Sequence, residues 1–220
     1  MDMLPVPSRV LYLHGFASSP ASRKAQFFST KLKELGFEVE IPDLAEGDFR
    51  HLTLSKQLAV VARLAQARPV TLIGSSMGGY LAALYAAQHP ETVERVILMA
   101  PAFDFYQLWV DELGPQRLRA WEETDALAVF HYGEKRTTPV AFEMLRDARQ
   151  FPAFPNLAQP ALIFHGGADS VVPVQKSIDF AASRPNVQLT QFPSNHELTD
   201  VLDSMWDASK EFLLSNRHLL

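Results

Sequence analysis

The chain contains no cysteine, which removes disulfides, thiolate metal ligands and a cysteine nucleophile together. Its fold must rest on packing alone. Long hydrophobic runs are also missing: no segment approaches the roughly 18 apolar residues that a membrane-spanning helix needs. Met1 to Ser8 carries neither the basic stretch nor the apolar core of a signal peptide. A cytoplasmic protein with no membrane span is the expectation. With a formal charge of −5 and dispersed Lys and Arg, the chain has no electrostatic footprint for nucleic acid or anionic lipid. Neither G-x-G-x-x-G nor G-x-x-x-x-G-K-[ST] occurs, and no H-x-x-x-H spacing does. Nucleotide cofactors and metal ions therefore have no support, and no cofactor is expected. The oligomeric state is left open.

What is present is enough apolar material, 47% of 220 residues, for the core of one α/β domain spanning 1–220. Short apolar runs predict strands at 9–13, 70–74, 96–100 and 161–166, and a run of period-2 character predicts one at 187–192. An alternating apolar and charged run at 37–42 predicts a strand nearer the sheet edge. Between them, apolar stripes at helical spacing predict helices from Ser19-Pro20 to Leu35, from Leu54 to about Ala65, from Met77 to His89 and from Leu198 to Leu214. This alternation predicts a mostly parallel sheet of about six strands with helices on both faces.

Between Ala102 and Pro160 the rhythm breaks. The segment is rich in aromatics and in breakers such as Gly114-Pro115 and Gly133, which predicts short helices and a hairpin near Gly133-Glu134. So much irregular sequence inside a domain marks a functional cap or lid, here 104–160. Its aromatics read either as the insert's own small core or as the wall of an apolar substrate pocket. For the pocket, Phe103, Phe105 and Trp109 are the candidates.

The chemistry gathers at predicted strand ends. Gly74-Ser75-Ser76-Met77-Gly78 is a G-x-S-x-G pattern at a strand-to-helix turn, where small residues let the chain bend sharply and expose the Ser76 hydroxyl. A serine hydroxyl is a poor nucleophile without a base, an orienter for that base and donors for the developing oxyanion. Asp169 follows the 161–166 strand and His196 follows the 187–192 strand, so both fall at the carboxyl edge of the sheet, where open α/β sheets bind ligands. The order Ser76, Asp169, His196 is the hydrolase order. Asp104 is a rival for the acid. The loop His14-Gly15-Phe16, after the first strand, can offer the Phe16 N–H as an oxyanion donor beside that of Met77. His14 and His165 each precede a glycine and read as loop-holding residues. His89 belongs to a helix stop, and His51, His131 and His218 have no evident partner in the sequence.

The chain resembles the α/β-hydrolase superfamily and, within it, the small bacterial YqiA-like esterases. The resemblance rests on residues 11–20, residues 74–80 and the surroundings of Asp169 and His196. It implies an α/β-hydrolase fold, a Ser76-His196-Asp169 triad and hydrolysis of a small or apolar carboxylic ester without a cofactor. Thioesters and peptides are open to the same chemistry. A different class, a noncatalytic ligand receptor or interaction scaffold, also uses such folds.

Overall fold

The computed structural model describes residues 9–66 and 68–215. Met1 to Ser8 and His218, both interpreted from sequence above, lie outside them. In chain order the structure begins with β1 (Arg9–Leu13), α1 (Arg23–Glu34), β2 (Glu38–Glu40) and a 3-10 turn at Phe49–His51. It continues with α2 (Leu54–Ala65), β3 (Val70–Ser75), α3 (Met77–Gln88) and β4 (Val93–Met99). The segment that follows holds α4 (Phe105–Thr124), β5 (Leu127–His131), β6 (Arg136–Val140) and α5 (Glu143–Ala148). The chain then completes its sheet with β7 (Ala161–Gly166), α6 (Gln175–Ala182), β8 (Val187–Phe192) and α7 (Leu202–Leu214).

Among the described residues, six strands form one sheet in the order β2-β1-β3-β4-β7-β8, every pair parallel. Parallel strands bury both faces, and the sequence supplies apolar side chains on both. Leu11, Leu13, Leu72, Val96, Leu98 and Ile163 pack with α2 and α3 on one side. Val10, Tyr12, Ile73, Ile97 and Phe164 pack with Phe28 and Leu32 of α1 and with Met205 and Trp206 of α7 on the other. The predicted edge strand is indeed outermost. Glu38 and Glu40 of β2 are exposed and lie 3.9 Å from the Arg9 guanidinium, and charge on an edge discourages further strand pairing.

Among the boundaries that differ from the sequence expectation, three have a visible backbone cause. α1 begins at Arg23 rather than Pro20, because the Ser22 N–H closes a turn on the Ser19 carbonyl at 3.1 Å and the next backbone bond runs from Gln26 N–H to Ser22. α7 begins at Leu202 rather than Leu198, whose φ of 54° is left-handed and cannot continue an α-helix. β4 starts earlier, at Val93, and ends at Met99, since Ala100 turns out at φ 44°.

The order of the sheet reverses between β1 and β3, the switch point where such sheets bind ligands. There the chain is packed to contact. A Cβ on Gly78, in the first turn of α3, would lie 2.1 Å from the Leu13 carbonyl oxygen, and one on Gly74 would lie 2.2 Å from the Gly78 carbonyl oxygen. Both obstacles are backbone and cannot swing aside. Gly78→Ala is expected to cost about 3 kcal/mol or more, read as a lowered urea midpoint. A wild-type midpoint would show that the elbow has slack.

Candidate active site

The geometry of the elbow follows from that close packing. Ser76 sits between β3 and α3 at φ 54°, ψ −119°, a conformation that costs a non-glycine residue about 1–3 kcal/mol. Its N–H bonds the Met99 carbonyl at 2.8 Å, and its carbonyl accepts from Tyr80 and Ala102, both at 3.0 Å. The backbone on both sides is tied down, so the strained residue is held in place.

The side chain faces the histidine named from sequence. Ser76 Oγ lies 3.0 Å from His196 Nε2, and His196 Nδ1 lies 2.7 Å from Asp169 Oδ2. A carboxylate can only accept, so Nδ1 carries its proton and Nε2 is left to accept from the serine hydroxyl. The two loops carrying Asp169 and His196 are joined by backbone: Gly167 N–H reaches Phe192 at 2.8 Å and Ala168 N–H reaches Ser194 at 3.0 Å. Asp104, the rival acid, is taken elsewhere, bonded to Lys176 of α6 at 2.9 Å.

The Asp169 side chain is fully buried and receives more than the histidine. Its Oδ1 accepts from the N–H groups of Val171 and Val172, each at 2.8 Å. A second imidazole, that of His165, places Nε2 3.1 Å from Oδ2 and 2.9 Å from the Val172 carbonyl. Both are acceptors, so His165 Nε2 is protonated and shared between them, while Nδ1 meets Ser177 Oγ at 2.8 Å. Burial alone would raise the Asp169 carboxyl. The bonds from His165, His196 and Val172 hold it well below the usual carboxylate range instead. Lys24 of α1 adds to the surroundings: burial lowers its ammonium to about 8, against the opposing pull of Glu197 and Asp169.

Phe16 and Met77 both line the cavity with Ser76, and neither backbone N–H has a partner among the described residues. The loop before Phe16 is held by His14, whose Nδ1 bonds the Gly15 carbonyl at 3.0 Å and whose Nε2 accepts from Leu44 N–H at 3.4 Å. Burial pushes the His14 imidazole down, which favours the neutral form that this pair of bonds requires. The Phe16 ring is clasped between Phe49 and Trp109, each 5.3 Å away between centroids. Beyond it, Tyr132 N–H at the tip of the β5–β6 hairpin donates to the Ala17 carbonyl at 2.8 Å.

The cavity measures about 570 Å³ and is walled by Phe105, Leu108 and Trp109 of α4, by Ala102, and by the loop Ser170 to Pro173. Of the three aromatics expected there, Phe105 and Trp109 line it and Phe103 does not. Phe103 is fully buried and stacks on Phe180 of α6 at 4.2 Å. Asp104, left-handed at φ 59°, turns the chain between Phe103 and Phe105, so neighbouring aromatics serve core and pocket separately. Trp121 belongs to the inner packing of the segment, with its Nε1–H on the Val140 carbonyl at 2.8 Å. His51 and His131, unpaired in the sequence, have partners: His51 bonds Asp48 at 2.9 Å, and His131 accepts from Glu134 N–H at 3.1 Å. Sequence reasoning missed Leu108, the Ser170 to Pro173 wall and the role of His165 toward Asp169. The H-G-G-A-D spacing was the available signal for the last.

No group of three or more His, Asp or Glu among the described residues is arranged to hold a metal ion, and no described helix is long and apolar enough to cross a membrane. A family model described as an uncharacterised protein family, UPF0227, matches residues 9–213. The chain belongs to that family. It is 27% identical to the biotin biosynthesis bifunctional protein BioHC of Teredinibacter turnerae over 78% of this chain and 38% of that protein. It is 29% identical to esterase LipC of Mycobacterium tuberculosis over 61% of this chain and 36% of that protein. The chain thus spans less than two-fifths of the length of these curated relatives. Its fold is that of α/β-hydrolases. Est1E from Butyrivibrio proteoclasticus with bound ferulic acid superposes with a TM-score of 0.82 at 22% identity, covering 94% of this chain and 88% of that one. Mouse α/β hydrolase domain-containing protein 10 superposes with a TM-score of 0.75 at 20% identity, covering 93% and 89%.

The second imidazole gives a testable pH effect. Asp169's depressed carboxyl contributes stability that is present above the unfolded value, about pH 4, and is lost as pH falls through the folded value. His165→Ala removes one of the bonds that depress it. The variant's stability deficit is therefore expected to be largest above about pH 4 and to narrow toward pH 2, measured by urea unfolding across that range. A deficit constant with pH would detach His165 from the carboxylate.

Proposed function

We propose that the chain is a cofactor-independent serine hydrolase that cleaves carboxylic esters by acyl transfer. The observation that carries this reading is the continuous relay from Ser76 Oγ through His196 to buried Asp169, at 3.0 and 2.7 Å, opening on an apolar cavity. His196 Nε2 takes the Ser76 proton as Oγ attacks the ester carbonyl, and Asp169 orients and stabilises the imidazolium. The backbone N–H groups of Phe16 and Met77 receive the charge on the carbonyl oxygen, where preorganised donors contribute most. The alcohol leaves with the proton from His196. Water, deprotonated by the same imidazole, then attacks the acyl carbon, and the imidazole returns that proton to Ser76 Oγ as the acyl–oxygen bond breaks, releasing a carboxylic acid. The strain at Ser76 and the ties on its backbone favour this role, because they keep the hydroxyl in one place through both halves of the reaction.

In this reading 104–160 is a cap fixed to the body. Tyr80 Oη donates to the Pro152 carbonyl at 2.7 Å, Ala141 N–H to Arg50 at 2.8 Å, and Ser55 N–H to Asp147 at 2.9 Å. Phe105, Leu108 and Trp109 present apolar walls, suited to an aryl or short to medium acyl group. The ferulic acid held by a structural neighbour is an aryl acid of that kind. A small-molecule ester is thus the proposed partner, with thioester and peptide analogues sharing the mechanism.

The test is hydrolysis of a chain-length series of p-nitrophenyl esters, with thioesters alongside. Ser76→Ala and His196→Ala are each expected to lower kcat by at least about a thousandfold while the proteins remain folded by circular dichroism. Turnover retained by folded Ser76→Ala would refute the mechanism, and no turnover of any ester by the wild type would favour a noncatalytic role.

A further inference from the structure

The cavity beside Ser76 has an apolar body and a charged rim of one sign. Among its lining residues the charged ones are Asp111 and Glu112, both acidic and both exposed, on the turn of α4 that follows Leu108 and Trp109. Neither has an ion-pair partner among the described residues. Asp111 accepts a hydrogen bond from the neutral amide of Gln107 at 2.7 Å, which leaves its charge in place. The nearby Lys176 is bonded to Asp104 at 2.9 Å, and no lysine, arginine or histidine lines the cavity. A second feature points the same way. Phe16, Phe105 and Trp109 form an aromatic wall, and aromatic faces attract cations, quaternary ammonium groups above all.

We propose that this cavity selects its substrate by charge, favouring esters whose acyl portion ends in a cationic group over esters of the same length that end in a carboxylate. The inference rests on the reading of Ser76 as nucleophile. The carbonyl sits at Ser76, the chain of the acyl group runs along Leu108 and Trp109, and its end meets the Asp111 and Glu112 carboxylates. Acyl groups ending in phosphate or carboxylate meet repulsion there with no cation to relieve it. Because the rim is exposed, the attraction works through solvent and is screened by salt, so the effect is one of graded preference.

The experiment uses three p-nitrophenyl esters matched in length: 4-(trimethylammonio)butanoate, its uncharged isostere 5,5-dimethylhexanoate, and the glutarate monoester. Each kcat/KM is divided by the ester's rate with hydroxide, which removes intrinsic reactivity. The cationic ester is expected to exceed the anionic one about tenfold at low ionic strength, two carboxylates acting across roughly 8 Å of screened solvent. The ratio is expected to shrink in about 0.5 M salt and to fall severalfold in the Asp111→Asn/Glu112→Gln double variant. Since the ratio is taken within one protein preparation, any change in folded fraction cancels. A ratio near one in the wild type, or one that the double variant leaves unchanged, overturns the proposal while ester hydrolysis stands. Failure of all three esters would remove both readings together.

Discussion

Two pieces of backbone, the end of β1 and the first turn of α3, approach so closely that only hydrogen fits between them. The Leu13 carbonyl occupies the space a Gly78 side chain would need. This contact sets the distance between the loop bearing Phe16 and the turn bearing Ser76, and it does so through groups that have no rotamers to change. Two further constraints hang on it. Ser76 is driven to positive φ because the chain must leave β3 and enter α3 within one residue, and Phe16 is brought beside the hydroxyl because its strand is the neighbour of β3. The buried apolar shell of α3, with residues 77–86 all inside, holds the whole turn against the sheet.

The second anchor is electrostatic. A buried carboxylate with no partners would be protonated or would cost several kcal/mol. Asp169 is instead surrounded by donors: two backbone N–H groups on Oδ1 and two imidazoles near Oδ2. His165 is itself fixed by Ser177 and Val172, so the carboxylate is oriented before His196 reaches it. An imidazole bonded to an anion of fixed position keeps one tautomer, and only that tautomer leaves a lone pair for Ser76. Packing positions one end of the relay and hydrogen bonding the other.

Much of this was legible in the sequence, and the parts that were not share a cause. The six strands and the meeting of Ser76, Asp169 and His196 come from local signals: apolar runs, a glycine-flanked serine, and polar residues at strand ends. The hairpin near Gly133 announced itself by a breaker between short runs. By contrast, Phe103 and Phe105 differ by two positions and look alike, yet a left-handed residue between them sends one to the core and one to the cavity. His165 read as a loop-holding residue, and its bond to Asp169 depends on how the chain folds back over Ser177. Asp111 and Glu112 resemble any solvated helix face until the helix is placed over a cavity. Helix starts were misplaced where a left-handed residue or a tight turn, as at Leu198 and Ser19, overrode propensity.

The proposed function turns on one oxygen atom, Ser76 Oγ, being activated. Adjacent Ser75 ends β3 and is buried, which makes it an internal control one residue away. The most direct measurement is peptide mapping by mass spectrometry after reaction with a fluorophosphonate, which traps an activated serine as its phosphonyl ester. The account expects one adduct, on Ser76, that disappears in His196→Ala. An adduct on Ser75 or another serine, or none on the folded wild-type protein, would contradict it.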